Sequence, residues 1–291
     1  MKIKDILEKK ETVISFEVFP PKKEYNLKNI YKNIKLLENL DPDFFSVTYG
    51  AGGTTKKTTI DVAEFISKRG FNGLAHLTCI DSNKIEIDNI LKKFKDKNIK
   101  NILALRGDIP QDGKIKNDFE YASDLVKYIK NKGDFSIGGA CYPEKHLESK
   151  SFERDLENLK YKVDNGLDFL ITQLFFDNNV FYKYLANFNK YDIDIPVIAG
   201  IFPVTNFRQV QKVLELTECS LPEKFKRILY KFKDDDEALK EAGIAYAIEQ
   251  MIDLIAWGVD GIHVYTMNRP DVTKRIINSI EDIRGYVNDQ S

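Results

Sequence analysis

The chain has 291 residues, 43% of them hydrophobic and 31% charged, enough apolar material for a substantial core, and this composition excludes a disordered chain. Its 44 Lys and Arg against 45 Asp and Glu leave a formal net charge of -1. The lysines are spread among acidic residues with no basic stripe to hold a phosphate backbone, so nucleic acid is not an expected partner. No run approaches the ~18 apolar residues of a membrane span, and the charged N-terminus does not read as a signal peptide. Cys79, Cys141 and Cys219 are odd in number and far apart, which gives neither a disulfide framework nor metal-ligand spacing. A cytoplasmic protein without a metal site is expected.

In chain order, short β-branched or aromatic runs occupy 13–19, 44–49, 74–80, 102–108, 137–142, 169–175, 197–202 and 261–266. Amphipathic segments alternate with them, among them 27–40, 85–97, 121–130, 152–165 and 272–283. Eight βα units in series predict an α/β fold, a (β/α)8 TIM barrel forming one domain over 1–291. An open doubly wound sheet is the structural alternative. Between the seventh and eighth strands, residues 219–236 precede a long helical pattern over 237–257 and read as an insertion, not a domain boundary.

Side chains alternate across a strand. Ile14, Phe16 and Val18 therefore face the helices, and Ser15, Glu17 and Phe19 point into the barrel. A carboxyl near the top of a barrel is in surroundings that favour its protonated form, which suits a general acid. In the fourth strand Ile102, Ala104, Arg106 and Asp108 share one face, with Leu103 and Leu105 on the other, an arrangement for an ion pair or a ligand clamp. The same parity puts Thr48, His76, Tyr142, Gln173 and Tyr265 on inward faces late in their strands, where barrel enzymes carry their active sites.

Barrel interiors also contain polar groups that only satisfy one another. Glu17 could pair with Arg106, His76 could be an interior imidazole packed near Cys79, and Gln173 could cap a strand carbonyl. Convergence on one rim favours a site. The glycines at 50–53 fall short of a dinucleotide fingerprint because Thr55 stands where a glycine is needed. Residues 107–114 are one residue too long for a phosphate loop, and Ile115 replaces its hydroxyl. Gly138, Gly139 and Ala140 strip side chains from the fifth strand, which admits either a flat ring system or tight packing.

Phe16-Glu17-Val18-Phe19-Pro20-Pro21, Ser46-Val47-Thr48-Tyr49-Gly50-Ala51-Gly52-Gly53 and His76-Leu77-Thr78-Cys79 resemble motifs of the methylenetetrahydrofolate reductases. So do Ala104-Leu105-Arg106-Gly107-Asp108, Tyr121-Ala122-Ser123-Asp124-Leu125, Ala140-Cys141-Tyr142-Pro143-Glu144, Ile171-Thr172-Gln173 and Tyr265-Thr266-Met267-Asn268-Arg269. The likeness runs in order over nearly the whole chain. It implies a barrel enzyme that reduces 5,10-methylenetetrahydrofolate to 5-methyltetrahydrofolate for methionine synthesis. In that family non-covalently bound FAD is first reduced by NADH or NADPH, and the kinetics are ping-pong.

By that resemblance Glu17 is the acid that protonates the folate as its five-membered ring opens, and Asp108 is the carboxylate that steadies the resulting cation. Thr48, Tyr49, Ala51, His76, Arg106, Gly107, Asp108, Tyr121, Ala122, Tyr142, His146, Asp155, Asn158 and Lys162 fall at FAD-binding positions. Ser151 is a plausible N-cap for a helix that repeats Asp155, Asn158 and Lys162 on one face. Glu17, Asp108, Gln173, Gln209, Tyr265 and Arg269 fall at positions serving folate or nicotinamide. Thr54-Thr55-Lys56-Lys57 departs from the family's mixed acidic and basic loop. The chain stops soon after its eighth strand, short of the regulatory extension by which eukaryotic members sense S-adenosylmethionine, which argues against that feedback. A homo-oligomer is expected. Two other readings stay open: a flavin-bearing subunit that needs an electron-transfer partner, and a flavin-free folate methyltransferase barrel.

Overall fold

Parallel strands joined by helices close on themselves when β8 pairs back onto β1, and the computed structural model shows that closure in chain order, β1 to β8. It describes residues 1–21, 27–49, 53–109, 115–116, 118–217 and 219–289, with the backbone alone for 53–56. The strands are β1 (Val13–Val18), β2 (Phe44–Val47), β3 (Asn72–Thr78), β4 (Asn101–Leu105), β5 (Ser136–Cys141), β6 (Phe169–Thr172), β7 (Val197–Ile201) and β8 (Gly261–Tyr265). The helices are α1 (Ile3–Leu7), α2 (Leu27–Glu38), α3 (Gly53–Lys68), α4 (Lys84–Asp96), α5 (Ala122–Lys130) and α6 (Phe152–Asp164). They continue with α7 (Asn178–Leu185), α8 (Phe207–Thr217), α9 (Glu223–Phe232), α10 (Asp236–Trp257) and α11 (Pro270–Asn288). The closed order excludes the open doubly wound alternative.

Alternation sorts the apolar residues into two layers. Ile14, Phe16 and Val18 of β1 join Ala75, Leu77, Ile102, Ala104, Ile262 and Val264 in the layer between strands and helices, where Ile30, Ile34, Leu125 and Ile129 meet them. Val13, Phe44, Leu74, Leu103, Phe169, Ile171 and Ile198 point the other way and fill the lower barrel. The short helix α1, which the charged N-terminus conceals, closes that end with Ile3 and Ile6. It is tied down by Ile3 N–H donating to Asn101 Oδ1 (2.8 Å) and Lys4 N–H to Ser136 Oγ (3.3 Å). A third cluster, with Phe202, Val204, Phe225, Leu229 and Leu239, packs beneath α9, the helix that lies within residues 219–236.

Several strands stop earlier than their apolar runs, for local reasons. After β4, Gly107 takes φ +86°, a left-handed turn that ends the extended backbone. After β6, Gln173 turns its own Oε1 back to accept from Leu174 N–H (2.9 Å), removing that amide from the ladder. Helix starts follow capping chemistry: Asn83 and Glu86 form a reciprocal box at α4, and Ser151 Oγ accepts from Arg154 N–H at α6. Gly138 and Gly139 serve packing. A Cβ on Gly138 would lie 2.6 Å from the Phe169 ring, and one on Gly139 would lie 2.5 Å from Leu167.

The seat of α10 against the end of β7 rests on a single missing methyl. A Cβ on Gly243 would stand 2.0 Å from the Val204 carbonyl oxygen, whereas Gly285 on α11 has open space around it. Gly243→Ala is expected to destabilise the protein by about 1–3 kcal/mol, because backbone rather than a pliant side chain must move. Gly285→Ala is expected to stabilise it by up to about 1 kcal/mol through helix propensity. Urea midpoints of the two variants measure this, and shifts of the same sign would contradict the packing.

Candidate active site at the barrel top

Glu17 is the penultimate residue of β1 and points into the barrel, 6% exposed. In the register it lies opposite Ser46 of β2 and Tyr265 of β8. Two of the chain's three histidines bracket it. His263 Nε2 is 3.4 Å and His76 Nε2 is 3.7 Å from the same oxygen, Glu17 Oε2. Each imidazole also meets a serine: Ser15 Oγ lies 2.8 Å from His263 Nδ1, on the far side of the ring from Glu17, and Ser46 Oγ lies 2.6 Å from His76 Nε2, the nitrogen that faces Glu17. Thr266 Oγ1 donates to the Glu17 carbonyl (2.6 Å), fixing the strand at this level.

Arg106 is not the partner of Glu17, nor is its ion pair with Asp108. Its guanidinium forms a two-pronged pair with Glu148, Nη2 to Oε1 at 2.7 Å, because Ile102 and Ala104 face the helices and β4 has ended before Arg106. Glu148 is the main reason the Arg106 pKa is raised, with Asp108 the weakest of several. Asp108 itself is exposed just beyond Gly107. His263 and Glu148 are the residues that the sequence reading misses. His263 had a signal, since it shares a face with Tyr265 two residues on. Glu148 had none, since its pairing joins two loops 42 positions apart.

Beside this interior group, a cleft of about 1030 Å3 opens between the β4–α5 and β5–α6 connections. It is lined by Arg106, Tyr121, Ala122, Tyr142, His146, Asp155, Asn158 and Lys162 among others. The structure thus brings together eight of the residues placed by resemblance at FAD positions. The Tyr142 ring meets His146 edge-on with centroids 4.6 Å apart, and burial pushes the Tyr142 hydroxyl up to about 12. His146 N–H donates to Asp155 Oδ2 (3.2 Å). Burial raises the Asp155 carboxyl and lowers the Lys162 ammonium, whose Nζ donates to the Ala140 carbonyl.

This cleft fits a dinucleotide. Its volume is at the upper end of small-molecule sites, and it combines four cationic side chains, Arg106, Lys150, Arg154 and Lys162, with aromatic side chains from Tyr121, Tyr142 and Tyr161. The first turn of α5, Ala122 to Asp124, also lines it, and a helix N-terminus favours negative charge. Thr48, Tyr49 and Gly107 stand at the ends of β2 and β4, outside the cleft's lining, while His76 belongs to the group around Glu17. Ala51, the glycines at 50 and 52, and residues 110–114 lie outside the described residues, as do the side chains at 53–56.

The positions expected to serve folate or nicotinamide are held by local bonds. Tyr265 donates from its hydroxyl to the Thr172 carbonyl (2.9 Å), and its pKa is raised by burial first, then by Glu17, its partner in the strand register, and by Tyr142. Gln209 Oε1 accepts from the Thr205 amide (3.0 Å) and hydroxyl (2.8 Å). Arg269 pairs with Asp271 at 3.0 Å at the start of α11. Among the described residues no cluster of three or more His, Cys, Asp or Glu could hold a metal ion, and no helix is long and apolar enough to cross a membrane.

Burial lowers the His76 pKa from 6.5 to about 4, with Glu17 only partly offsetting it. Above pH 6.5 the ring is neutral whether folded or not. Below it the unfolded chain takes up a proton that the folded ring refuses, so stability is lost from pH 6.5 down to about 4. The total is roughly 3 kcal/mol, about 2 of it by pH 5. Urea unfolding at pH 7 and pH 5 should show a larger loss for the wild type than for His76→Gln. Equal losses would place the ring in contact with water.

Residues 2–281 match the profile of the methylenetetrahydrofolate reductases. The chain is 37% identical over 268 residues to the 5,10-methylenetetrahydrofolate reductase of Pectobacterium carotovorum subsp. carotovorum, spanning 92% of this chain and 89% of that one. The Escherichia coli K12 protein of the same name is also 37% identical, with 92% and 90% covered. Methylenetetrahydrofolate reductase (NADH) 1 of Arabidopsis thaliana is 35% identical, and the match takes in 48% of its length. Among solved structures, a Clostridium thermocellum protein that binds two copies of 5-methyl-5,6,7,8-tetrahydrofolic acid superposes with a TM-score of 0.70 at 14% identity, covering 98% of this chain and 99% of its own. That likeness speaks for the barrel alone, whereas the match along nearly the entire sequence speaks for descent: the chain belongs to the methylenetetrahydrofolate reductase family.

Proposed function

We propose that this chain reduces 5,10-methylenetetrahydrofolate to 5-methyltetrahydrofolate by a ping-pong cycle, with FAD in the cleft beside α5 and α6 and a nicotinamide cofactor as electron donor. The observation that carries the reading is a buried carboxyl, Glu17, set at the top of the barrel next to a dinucleotide-sized cleft lined by four cationic side chains. Membership of the family supplies the substrate. The Clostridium thermocellum protein of the same barrel fold binds 5-methyl-5,6,7,8-tetrahydrofolic acid, which supports a folate as the ligand, and the plant relatives' names point to NADH.

FAD, when bound, supplies the redox chemistry, accepting two electrons from the nicotinamide and passing them to the folate. Arg106 and Lys162 would hold its phosphates, and Tyr121 and Tyr142 would pack against its flat parts. Glu17 gives a proton to the folate nitrogen that departs as the five-membered ring opens, a step that needs a carboxyl kept from bulk water. Asp108, on the solvent side, steadies the cationic carbon. Gln173, Gln209, Tyr265 and Arg269 would orient whichever of folate and nicotinamide is bound, and exchange of the two at one face makes the cycle ping-pong.

The test is an anaerobic absorbance titration of the purified protein reconstituted with FAD. NADH is expected to bleach the flavin bands, and methylenetetrahydrofolate to restore them. A flavin that NADH or NADPH cannot bleach would point instead to a subunit fed by a partner. Protein that cannot take up FAD would point to a flavin-free folate enzyme. In the same assay Glu17→Gln should still be bleached by NADH but should lose recovery with folate by at least ~100-fold, the scale of general acid catalysis. Arg106→Lys keeps the charge but not the planar fork, and is expected to weaken FAD binding by about tenfold in a fluorescence titration. Unchanged affinity would remove the phosphates from Arg106.

A further inference from the structure

The two oxygens of Glu17 have different surroundings. Oε2 meets both imidazoles, His263 Nε2 at 3.4 Å and His76 Nε2 at 3.7 Å. Oε1 takes no hydrogen bond among the described residues, and Glu17 keeps 6% of its surface open. One oxygen is anchored and the other is left for a ligand. The anchor is built in depth: Ser15, two residues before Glu17 on β1, engages His263 Nδ1 at 2.8 Å and lies opposite His263 in the strand register. The His263 ring, 1% exposed, lies over Phe44 with centroids 6.4 Å apart and planes 18° apart, and meets the Tyr265 ring edge-on at 5.2 Å. Nothing in that pocket lets the imidazole swing away.

We infer that His263, held by Ser15, is the positioning residue for the Glu17 acid: its Nε2–H donates to Oε2, which turns Oε1 and its proton toward the folate and receives the negative charge left when that proton departs. This rests on the acid role proposed for Glu17. The donor requirement follows from atom types. A bare nitrogen facing a carboxylate oxygen would set two lone pairs against each other, and Ser15 can give its single proton to Nδ1, the nearer of its two acceptors at 2.8 Å against 3.4 Å for the Ile262 carbonyl, leaving the ring's own proton on Nε2. The step balances within the group: the O–H bond at Oε1 breaks, a nitrogen–hydrogen bond forms on the folate, and the carboxylate left behind is hydrogen-bonded through Oε2. A donor to the charged form strengthens the acid. The titratable groups facing the pair are His76 from β3 and Tyr265 from β8. His76 is held neutral by burial and Tyr265 is held un-ionised, so neither titrates near neutral pH.

The experiment follows the folate half-reaction, recovery of the flavin bands, against pH in His263→Phe, His263→Gln and Ser15→Ala, with bleaching by NADH and FAD content as checks that each variant is folded. His263→Phe is expected to slow folate reduction by about 10- to 100-fold and to move the high-pH fall-off upward by about one unit, since a carboxyl that loses a donor to its charged form is a weaker acid. His263→Gln, which offers an amide donor from a similar position, should recover part of the rate and of the shift, and Ser15→Ala should show a smaller shift of the same sign. A merely structural residue lowers the rate without moving the fall-off, and that result overturns the inference, as does wild-type behaviour of His263→Phe. Where Glu17→Gln itself keeps wild-type folate reduction, the acid reading fails first. Where Glu17→Gln is dead and the His263 variants leave the pH profile in place, only the role of His263 fails.

Discussion

Closing eight parallel strands into a barrel gives every strand one face toward helices and one toward an interior that has no room for bulk water. That constraint governs the rest of the molecule. Apolar residues satisfy it at the bottom, where Phe44, Leu74, Leu103 and Phe169 interlock and α1 closes the mouth. Near the top, Ser15, Glu17, Ser46, His76 and His263 occupy the same inward face. Polar groups can stay there only if they find partners; Ser15–His263–Glu17 and His76–Ser46 are hydrogen-bonded, and His76 lies 3.7 Å from Glu17, a set drawn from four strands. The cost of burying such a group is met by the close packing of the layers around it, which is why Glu17 and its polar neighbours lie on strands and not on the more yielding loops.

The barrel interior and the neighbouring cleft separate two kinds of work. The interior holds a buried carboxyl between two imidazoles. The cleft holds the cations. Tyr265 joins them, bonded to the Thr172 carbonyl and close enough to Glu17 and Tyr142 for both to act on its hydroxyl. Proton chemistry and anion binding have opposite needs, since a cation beside Glu17 would favour its deprotonated form. Arg106 facing Glu148 and not Glu17 is therefore consistent with an acid.

Much of this was legible from periodicity. All eight strands lie where alternating apolar runs place them, and Glu17 and His76 point inward as their parity requires. What was hidden has physical reasons. The five residues of α1 are too few, and too charged, to show a helical period before they are seen against the barrel floor. His263 sits within Gly261–Tyr265, an otherwise ordinary strand. Strand ends were overrun at β4 and β6 because a positive φ at Gly107 and a side-chain cap at Gln173 leave no hydrophobic trace. The cleft residues were named by resemblance; spacing offered only the helical repeat of Asp155, Asn158 and Lys162, and the pairing of Arg106 with Glu148 between loops was invisible to it.

That last pair bears on how an anionic ligand enters. Arg106 and Glu148 meet at the cleft with the carboxylate more than half exposed, and an ion pair so placed is worth no more than about 1 kcal/mol. A phosphate can therefore take over the guanidinium at small cost, and the planar fork suits it as well as it suits a carboxylate. Lys162 is different. Its ammonium is anchored to the Ala140 carbonyl, and burial works against its charge with Cys141 and Asp155 only partly offsetting it, so an anion placed beside it would favour the charged form. Among the cleft's cations, Arg106 thus has a partner that is easily exchanged, whereas Lys162 is fixed in place.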